Sequence, residues 1–344
     1  MSLQTEIIEK IELSYAPDIP RLIFRGFQGE ADYQRMLDVI NASKGPDQIE
    51  RTDSVEDVAR LYAHLNNCDP YRDMIFAEID GQVIAYGRVE WDLDAKGQWI
   101  GFHFAISDPD WRRRGIGTAI LRYQEERLRD ISKDLLAKGL ITQETPKSYD
   151  TYASNTEVDK EDLLGNAGYK PVRFSYTMVR SLSDPVTITP MPTGLEIRTV
   201  RRDQFRLVWE ADQEAFKDHW GYVPGTDQDY QRWLKDPLHN PGLWKVAWEG
   251  DQVAGMVLNI LNKEENEEYN RLRGWTENIA VRKPWRRRGL ARALLTRSLK
   301  MFQDMGMDHA ALGVDTQNLS GALNLYESVG FVIEKKHTVY RKEF

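Results

Sequence analysis

Cysteine is almost missing from this chain: Cys68 is the single one in 344 residues. That excludes an internal disulfide framework and a cysteine-rich zinc site, and it fits a reducing cytoplasm. No metal is expected. No apolar run approaches the roughly 18 to 20 residues of a membrane span, and the N-terminus lacks the apolar core of a signal peptide, so neither a membrane partner nor export is expected. Positive charge is in the minority, Lys plus Arg numbering 46 against 54 Asp plus Glu for a net charge of −8. Such a balance argues against a surface built to grip nucleic acid. What remains is a globular composition of 41% hydrophobic and 29% charged residues, with 10 Trp, 15 Tyr and 11 Phe. That is too much large apolar surface for a disordered chain. At about 100 to 200 residues per domain, the length reads as two domains.

The chain repeats itself. Trp111-Arg112-Arg113-Arg114-Gly115-Ile116-Gly117 returns 174 residues later as Trp285-Arg286-Arg287-Arg288-Gly289-Leu290-Ala291. Upstream of each copy, two apolar runs flank a short turn, Asp80-Gly81 and Gly250-Asp251, and predict hairpins. Downstream, Gly168-Tyr169 and Gly330-Phe331 each lead into a β-rich ending. Between the copies Pro185, Pro190 and Pro192 suit an extended linker. The predicted organisation is therefore an N-terminal domain over 1–182, a linker over 183–193 and a C-terminal domain over 194–344. Leu290, Leu294, Leu295, Leu299 and Phe302 recur at spacings of three and four and predict an amphipathic helix after the second arginine run. Strands and helices mixed in this way give an α+β class, each domain a mixed, mostly antiparallel sheet flanked by helices.

A glycine turn between a strand and a helix aims unpaired backbone N–H groups and the positive end of the helix at one point, and phosphate is their natural occupant. Gly115 and Gly289 let the backbone approach a ligand closely, and the arginines add charge-assisted contacts. The pattern Arg-x-x-Gly-x-Gly/Ala after a strand, at Arg112–Gly117 and Arg286–Ala291, resembles the acetyl-CoA pyrophosphate loop of the GNAT superfamily of N-acetyltransferases. The resemblance covers roughly residues 20 to 180 and 195 to 344. It implies that Arg286, Arg287, Arg288, Gly289, Leu290, Ala291 and Arg292 hold the pyrophosphate in the second half. Arg112, Arg113, Arg114, Gly115, Ile116, Gly117 and Thr118 would do so in the first. It also implies that the preceding strands, Ile279-Ala280-Val281 and Ala105-Ile106-Ser107, pair with the pantetheine arm, and that Asn318 contacts the cofactor. Phosphate contacts of the same arginines would equally suit nucleic acid, but no reading motif accompanies them.

Acetyl transfer to an amine needs a deprotonated acceptor, stabilisation of an oxyanion and a proton for the departing thiolate. Glu277 lies on the strand Thr276–Val281, and strand alternation places it on the face of Ile279 and Val281. Members of the superfamily often keep a general base on this strand, and an apolar neighbourhood would raise the pKa of a Glu toward that task. Tyr326 sits in a segment resembling the superfamily's Asn…Leu-Tyr…Gly-Phe pattern, which implies that it protonates or hydrogen-bonds the CoA sulfur. Its spacing from Leu323 also suits helix packing.

The first half departs from this pattern. Alignment on Gly168 and Gly330 puts Leu164 opposite Tyr326, and His103 falls opposite Glu277. That half is expected to be catalytically degenerate. Acceptor contacts are expected between Glu214 and Tyr222, from Asp218, which would pair with a substrate ammonium, and from His219 and Trp220. Trp233 joins them, although helix packing accounts for such aromatics equally well. The expected activity is acetyl-CoA-dependent transfer of acetyl to the primary amine of a small molecule by direct attack, in a monomer or homodimer. A protein or peptide acceptor, another acyl-CoA, or a CoA-binding sensor without turnover are the alternatives.

Overall fold

In the computed structural model the described residues are 10–220, 222–317 and 321–344. They form two compact units, one reaching Val172 and including Thr338–Phe344, the other Arg173–His337.

The first unit runs through β1 (Leu22–Arg25), α1 (Ala31–Asp47), α2 (Val55–Tyr62), α3 (Pro70–Asp73), β2 (Met74–Ile79), β3 (Gln82–Leu93), β4 (Trp99–Ser107), α4 (Ile116–Ala137), β5 (Lys147–Ser154) and α5 (Val158–Asn166). Strands β1 to β4 are antiparallel neighbours, and β5 joins β4 in parallel. The hairpin expected at Asp80-Gly81 is present. Both residues have positive φ, 51° and 85°, the backbone that a two-residue turn matching strand twist requires. Ile116, Ala119 and Ile120 of α4 pack on Ile75, Ala77 and Ala85 of the sheet.

The second unit repeats the plan. It opens with β6 (Lys170–Ser181, from Arg173 onward) and continues through β7 (Glu196–Arg198), α6 (Phe205–Phe216), α7 (Asp227–Leu234), β8 (Lys245–Glu249), β9 (Gln252–Ile260) and α8 (Lys263–Glu268). There follow β10 (Arg273–Val281), α9 (Leu290–Asp304), β11 (His309–Asp315), α10 (Ala322–Ser328) and the start of β12 (Val332–Glu343). Strands β7 to β10 are antiparallel and β11 is parallel to β10. The predicted stripe on α9 is the buried one, with Leu290, Leu294, Leu295, Leu299 and Phe302 each at most 1% exposed.

The compact units exchange their closing strands. β6 follows the first arginine motif in sequence, yet it pairs antiparallel with β11 from His309↔Ser181 to Asp315↔Ser175, and Met178 and Leu182 enter the second unit's core. The end of β12 belongs to the first unit, where Arg341 forms a bidentate pair with Asp150 (2.8 and 2.7 Å) and Phe344 stacks on Tyr149 at 4.1 Å. The proline-containing stretch over 183–193 lies along α9, with Thr189 N–H donating to Thr296 Oγ1 (3.1 Å) and Gln303 Nε2 to the Leu182 and Asp184 carbonyls. Residues 173–193 thus belong to the second compact unit, a division that differs from the boundaries read along the sequence.

Candidate active site

The site of the second unit begins with an irregularity in β10. Its parallel pairing with β11 ends at Trp275↔Ala311. Against β9, Glu277 pairs with Leu258 but Ala280 with Met256, so β10 carries one extra residue there. Asn278 absorbs it with φ 46°, a left-handed backbone that Asn adopts more readily than most residues. This corrects the alternation expected from sequence. Glu277 shares a sheet face with Ala280, in the cluster of Met256 and Leu258, while Ile279 and Val281 face the cluster of Ala254 and Val257. A bulge also turns backbone N–H groups out of the ladder, which frees donors beside Glu277.

The bulge is held from α6. Asn278 Nδ2 donates to Asp212 Oδ1 at 3.0 Å. Asp212 is 8% exposed, and burial pushes its carboxyl up to about 6, against the opposing effect of the Asn278 bond. Neither residue was singled out from sequence. The legible signal was an acid on the buried stripe of an amphipathic helix, since Asp212 falls beside Val208, Ala211 and Ala215 on the buried face of α6.

Burial pushes the Glu277 carboxyl up to about 7, and Glu277 makes no side-chain hydrogen bond or ion pair among the described residues. Tyr326, on α10, is 5% exposed. Its phenol is raised well above its ordinary value by burial and then by the charge of Glu277, so it stays protonated at neutral pH. The two residues are thus electrostatically coupled, one a carboxylate able to take a proton near pH 7 and the other a phenol able to give one.

Beyond β10 the arginine loop enters α9 through two left-handed residues, Arg287 (φ 61°) and Gly289 (φ 83°). Left-handed residues alternating with others in a turn at a helix start gather N–H groups into a concave nest, a ready anion site. The space beside Gly289 is open, with nothing within 4 Å of where a Cβ would stand. The arginines divide their work. Arg286 braces the loop by donating to the Val281 and Ala215 carbonyls (2.9 and 3.0 Å), and Arg288 donates to the Thr193 carbonyl. Arg292 donates to Ser328 Oγ at 2.5 Å. Arg287 is exposed and makes no side-chain hydrogen bond or ion pair among the described residues. Leu290 is buried in the core, while Ala291 in the first turn is part-exposed. Asn318 lies outside the described residues. The loop therefore fits a diphosphate. Gly289→Val forces a β-branched residue into the left-handed region at a cost of about 1–3 kcal/mol. The expected result is loss of acetyl-CoA binding by the second unit in calorimetry, with the far-ultraviolet circular dichroism retained.

The residues proposed for the acceptor fare differently. The exposed Asp218 forms an ion pair with Lys283 at 2.9 Å, so its carboxylate already has a cation. His219 packs edge-on against Phe216 at 4.6 Å and burial holds its imidazole below its ordinary pKa. Trp220 lies under the Arg173 guanidinium at 5.5 Å, and Arg173 pairs with Asp315. Trp233 is a packing residue, seated among Phe205, His239 and Trp244.

The first unit has the loop without the carboxyl and phenol found in the second. Arg113 (φ 60°) and Gly115 (φ 87°) repeat the left-handed backbone. Ala105–Ser107, Arg112, Arg113 and Gly115–Thr118 line a cavity of about 310 Å³, whereas Arg114 sits over the Trp111 ring at 4.8 Å. Strand β4 pairs with β3 without a slip from Ala85↔Ser107 to Leu93↔Trp99, and Phe104 stands where the second unit has Asn278. Leu164 occupies the place of Tyr326 and is 2% exposed in the core. His103 is buried, and desolvation followed by the charge of Lys160 pushes its pKa down to about 3 against the opposing effect of a side-chain hydrogen bond with Gln124, so it remains a neutral imidazole.

The sequence model of the acetyltransferase (GNAT) family matches residues 36–145 and 204–331, more than half of the chain and once in each half. A mycothiol acetyltransferase of Geodermatophilus obscurus is 26% identical over 263 residues, covering 76% of this chain and 79% of that protein. One of Salinispora tropica is 23% identical over 321 residues, covering 86% and 97%. Among solved structures, a GCN5-related N-acetyltransferase from Sphaerobacter thermophilus matches with a TM-score of 0.69 at 26% identity over 94% of this chain and 96% of that one. A tandem GNAT protein from the clavulanic acid biosynthesis pathway shares the fold, with a TM-score of 0.63 at 14% identity over 94% and 98%. Two such domains in one chain is also the layout of that tandem protein. Among the described residues no helix is long and apolar enough to cross a membrane.

Proposed function

The chain belongs to the acetyltransferase (GNAT) family, and from that premise we propose that its second unit transfers acetyl from acetyl-CoA to the primary amine of a small molecule by direct attack. The observation that carries the assignment to this unit is the pairing of Glu277, with its carboxyl near 7, and Tyr326, with its phenol held protonated, beside the Asn278 bulge. The name of the curated relatives, mycothiol acetyltransferase, favours a small-molecule acceptor over a protein.

Acetyl-CoA supplies the activated acyl group, and the residues of this chain supply the rest. The nest at Arg287–Gly289 and the start of α9 hold the diphosphate. Glu277 takes the proton of the acceptor ammonium, directly or through water, so that the amine lone pair can attack the thioester carbon. Backbone N–H groups freed by the bulge meet the negative charge that develops on the carbonyl oxygen. As the new C–N bond forms and the C–S bond breaks, the Tyr326 phenol gives its proton to the sulfur. The products are the N-acetyl compound and CoA.

Tyr326→Phe tests the last step. Loss of a positioned acid removes about 10²-fold or more from kcat, while the affinity for acetyl-CoA, held at the loop, stays near that of the wild type. A kcat unchanged across the pH range removes Tyr326 from the mechanism.

A further inference from the structure

The two units share one helix-on-sheet contact and build it from different residues. Val208, Trp209, Ala211, Asp212 and Ala215, the buried residues of α6, fall 172 positions after Met36, Leu37, Val39, Ile40 and Ser43, which are buried on α1. One register therefore aligns both helices, and it puts Ile40 where the second unit has Asp212. Ile40 shares an apolar cluster with Phe104, the residue that stands in place of Asn278. The contact is thus made once by an isoleucine and a phenylalanine, and once by a carboxylate and an amide 3.0 Å apart. Burying a carboxylate costs far more than burying an isoleucine. The fold alone does not call for Asp212, since the first unit stands without its like.

What accompanies the polar pair is the bulge. In the first unit β4 runs against β3 without a slip. In the second, β10 slips between Glu277 and Ala280, with the left-handed Asn278 between them. A broken ladder and a left-handed residue persist only where the surroundings over-determine them. Here the determinant is one tie. The bond from Asn278 Nδ2 to Asp212 Oδ1 is the only side-chain hydrogen bond that either residue makes among the described residues. No cation among them competes for the carboxylate, although the other two acids of α6 are both ion-paired, Glu210 with Arg206 at 2.8 Å and Glu214 with Arg282 at 2.7 Å. Asp212 is also buried, so the tie is charge-assisted and little screened by water. Glu277 precedes Asn278 directly, and a shift of Asn278 would move both the carboxyl and the N–H groups of the bulge.

We propose that Asp212 is a positioning residue for acetyl transfer: through Asn278 it holds the bulge of β10, and with it Glu277 and the backbone N–H groups that face the thioester oxygen. The catalytic part of this inference rests on the transfer reading above, whereas the hold on the bulge does not. A double-mutant cycle tests the first part. Asp212→Ile, which places the first unit's residue type in the second, is expected to lower kcat about 10²-fold, the cost of misplaced reacting groups. Acetyl-CoA affinity, set at the arginine loop, stays near the wild-type value. Asp212→Asn keeps an oxygen that accepts from Asn278 Nδ2 and is expected to recover about tenfold of the loss. In Asn278→Gly the tie has no donor and glycine adopts the left-handed backbone unaided, so Asp212→Ile in that background is expected to change kcat by about twofold or less. A kcat kept by Asp212→Ile would overturn the proposal, as would an equal loss in both backgrounds, the mark of a merely structural role. Hydrogen–deuterium exchange of the peptide over 273–281 tests the hold without any acceptor. Faster exchange in Asp212→Ile than in the wild type, with α9 unchanged, is expected, and equal exchange would overturn the hold. Faster exchange in a protein whose wild type acetylates no amine would uphold the hold and remove the transfer reading instead.

Discussion

Glu277→Gln lowers kcat by about 10²- to 10⁴-fold, the contribution of a positioned general base, and leaves acetyl-CoA affinity near its wild-type value. The carboxylate sits beside the bulge of β10, desolvated and without an ion pair to hold it charged, and for that reason its pKa rises to about 7. Only the deprotonated form can accept the ammonium proton. The wild-type kcat/KM therefore falls as pH drops through about 7, and this limb is absent from the variant. The same shift carries a stability signature of opposite sign. Between its ordinary value of 4.5 and its folded value of about 7, Glu277 binds more protons in the folded chain than in the unfolded one, so its contribution to stability declines as pH rises through that window. Glu277→Gln is thus expected to raise Tm above pH 7 and to leave it unchanged below pH 4.5. A variant slow because it misfolds would lose Tm instead, so thermal denaturation at two pH values separates the two explanations.

Asp32→Ala is the most destabilising single change expected, at about 3–5 kcal/mol. Arg25, on β1, is 0% exposed, as is Asp32 at the start of α1. The guanidinium donates to both Asp32 oxygens at 2.9 and 2.8 Å and to Glu78 at 2.7 Å, and it lies over the Phe76 ring at 4.7 Å. Asp32 also accepts from the Gln28 N–H. Removing its carboxylate leaves a cation in the core with Glu78 as its one carboxylate partner beside the Gly26 carbonyl, and the Gln28 N–H without its acceptor. Arg35 contacts the same carboxylate from a side chain that is 40% exposed. Arg35→Ala is expected to cost about 1 kcal/mol or less, because solvent screens that pair. Urea denaturation of the two variants side by side checks the contrast, and equal midpoints would show that the buried triad contributes no more than a surface pair.

Much of this architecture is readable in the residues. The two arginine motifs share one offset, so the loops, their glycines and the helices behind them can be placed without coordinates. Asp80-Gly81 and the leucine stripe of α9 are equally plain, because turns and amphipathic helices are specified locally. The exchange of β6 and β12 is hidden because a strand's own sequence sets which face it buries but not which edge it joins. The bulge is hidden for a related reason. Alternation assumes an unbroken ladder, and the one-residue insertion at Asn278 moves Glu277 to the face opposite Ile279 and Val281. The partners of charged groups are hidden too. Asp218 reads as an ammonium receptor until Lys283 is seen beside it, and Arg112 reads as a phosphate ligand until Asp47 is. The acid at the position of Tyr326 is missing from the first half in plain view, as Leu164.

The central claim is that acetyl transfer takes place in the second unit, at Glu277, and not at the equivalent place in the first. The most direct test measures release of free CoA from acetyl-CoA against a panel of small primary amines, with the wild type, Glu277→Gln and His103→Phe compared at equal concentration. Amine-dependent release in the wild type and in His103→Phe, with loss of about two orders of magnitude or more in Glu277→Gln, is the predicted result. Activity that survives Glu277→Gln and disappears in His103→Phe would contradict it and place the chemistry in the first unit.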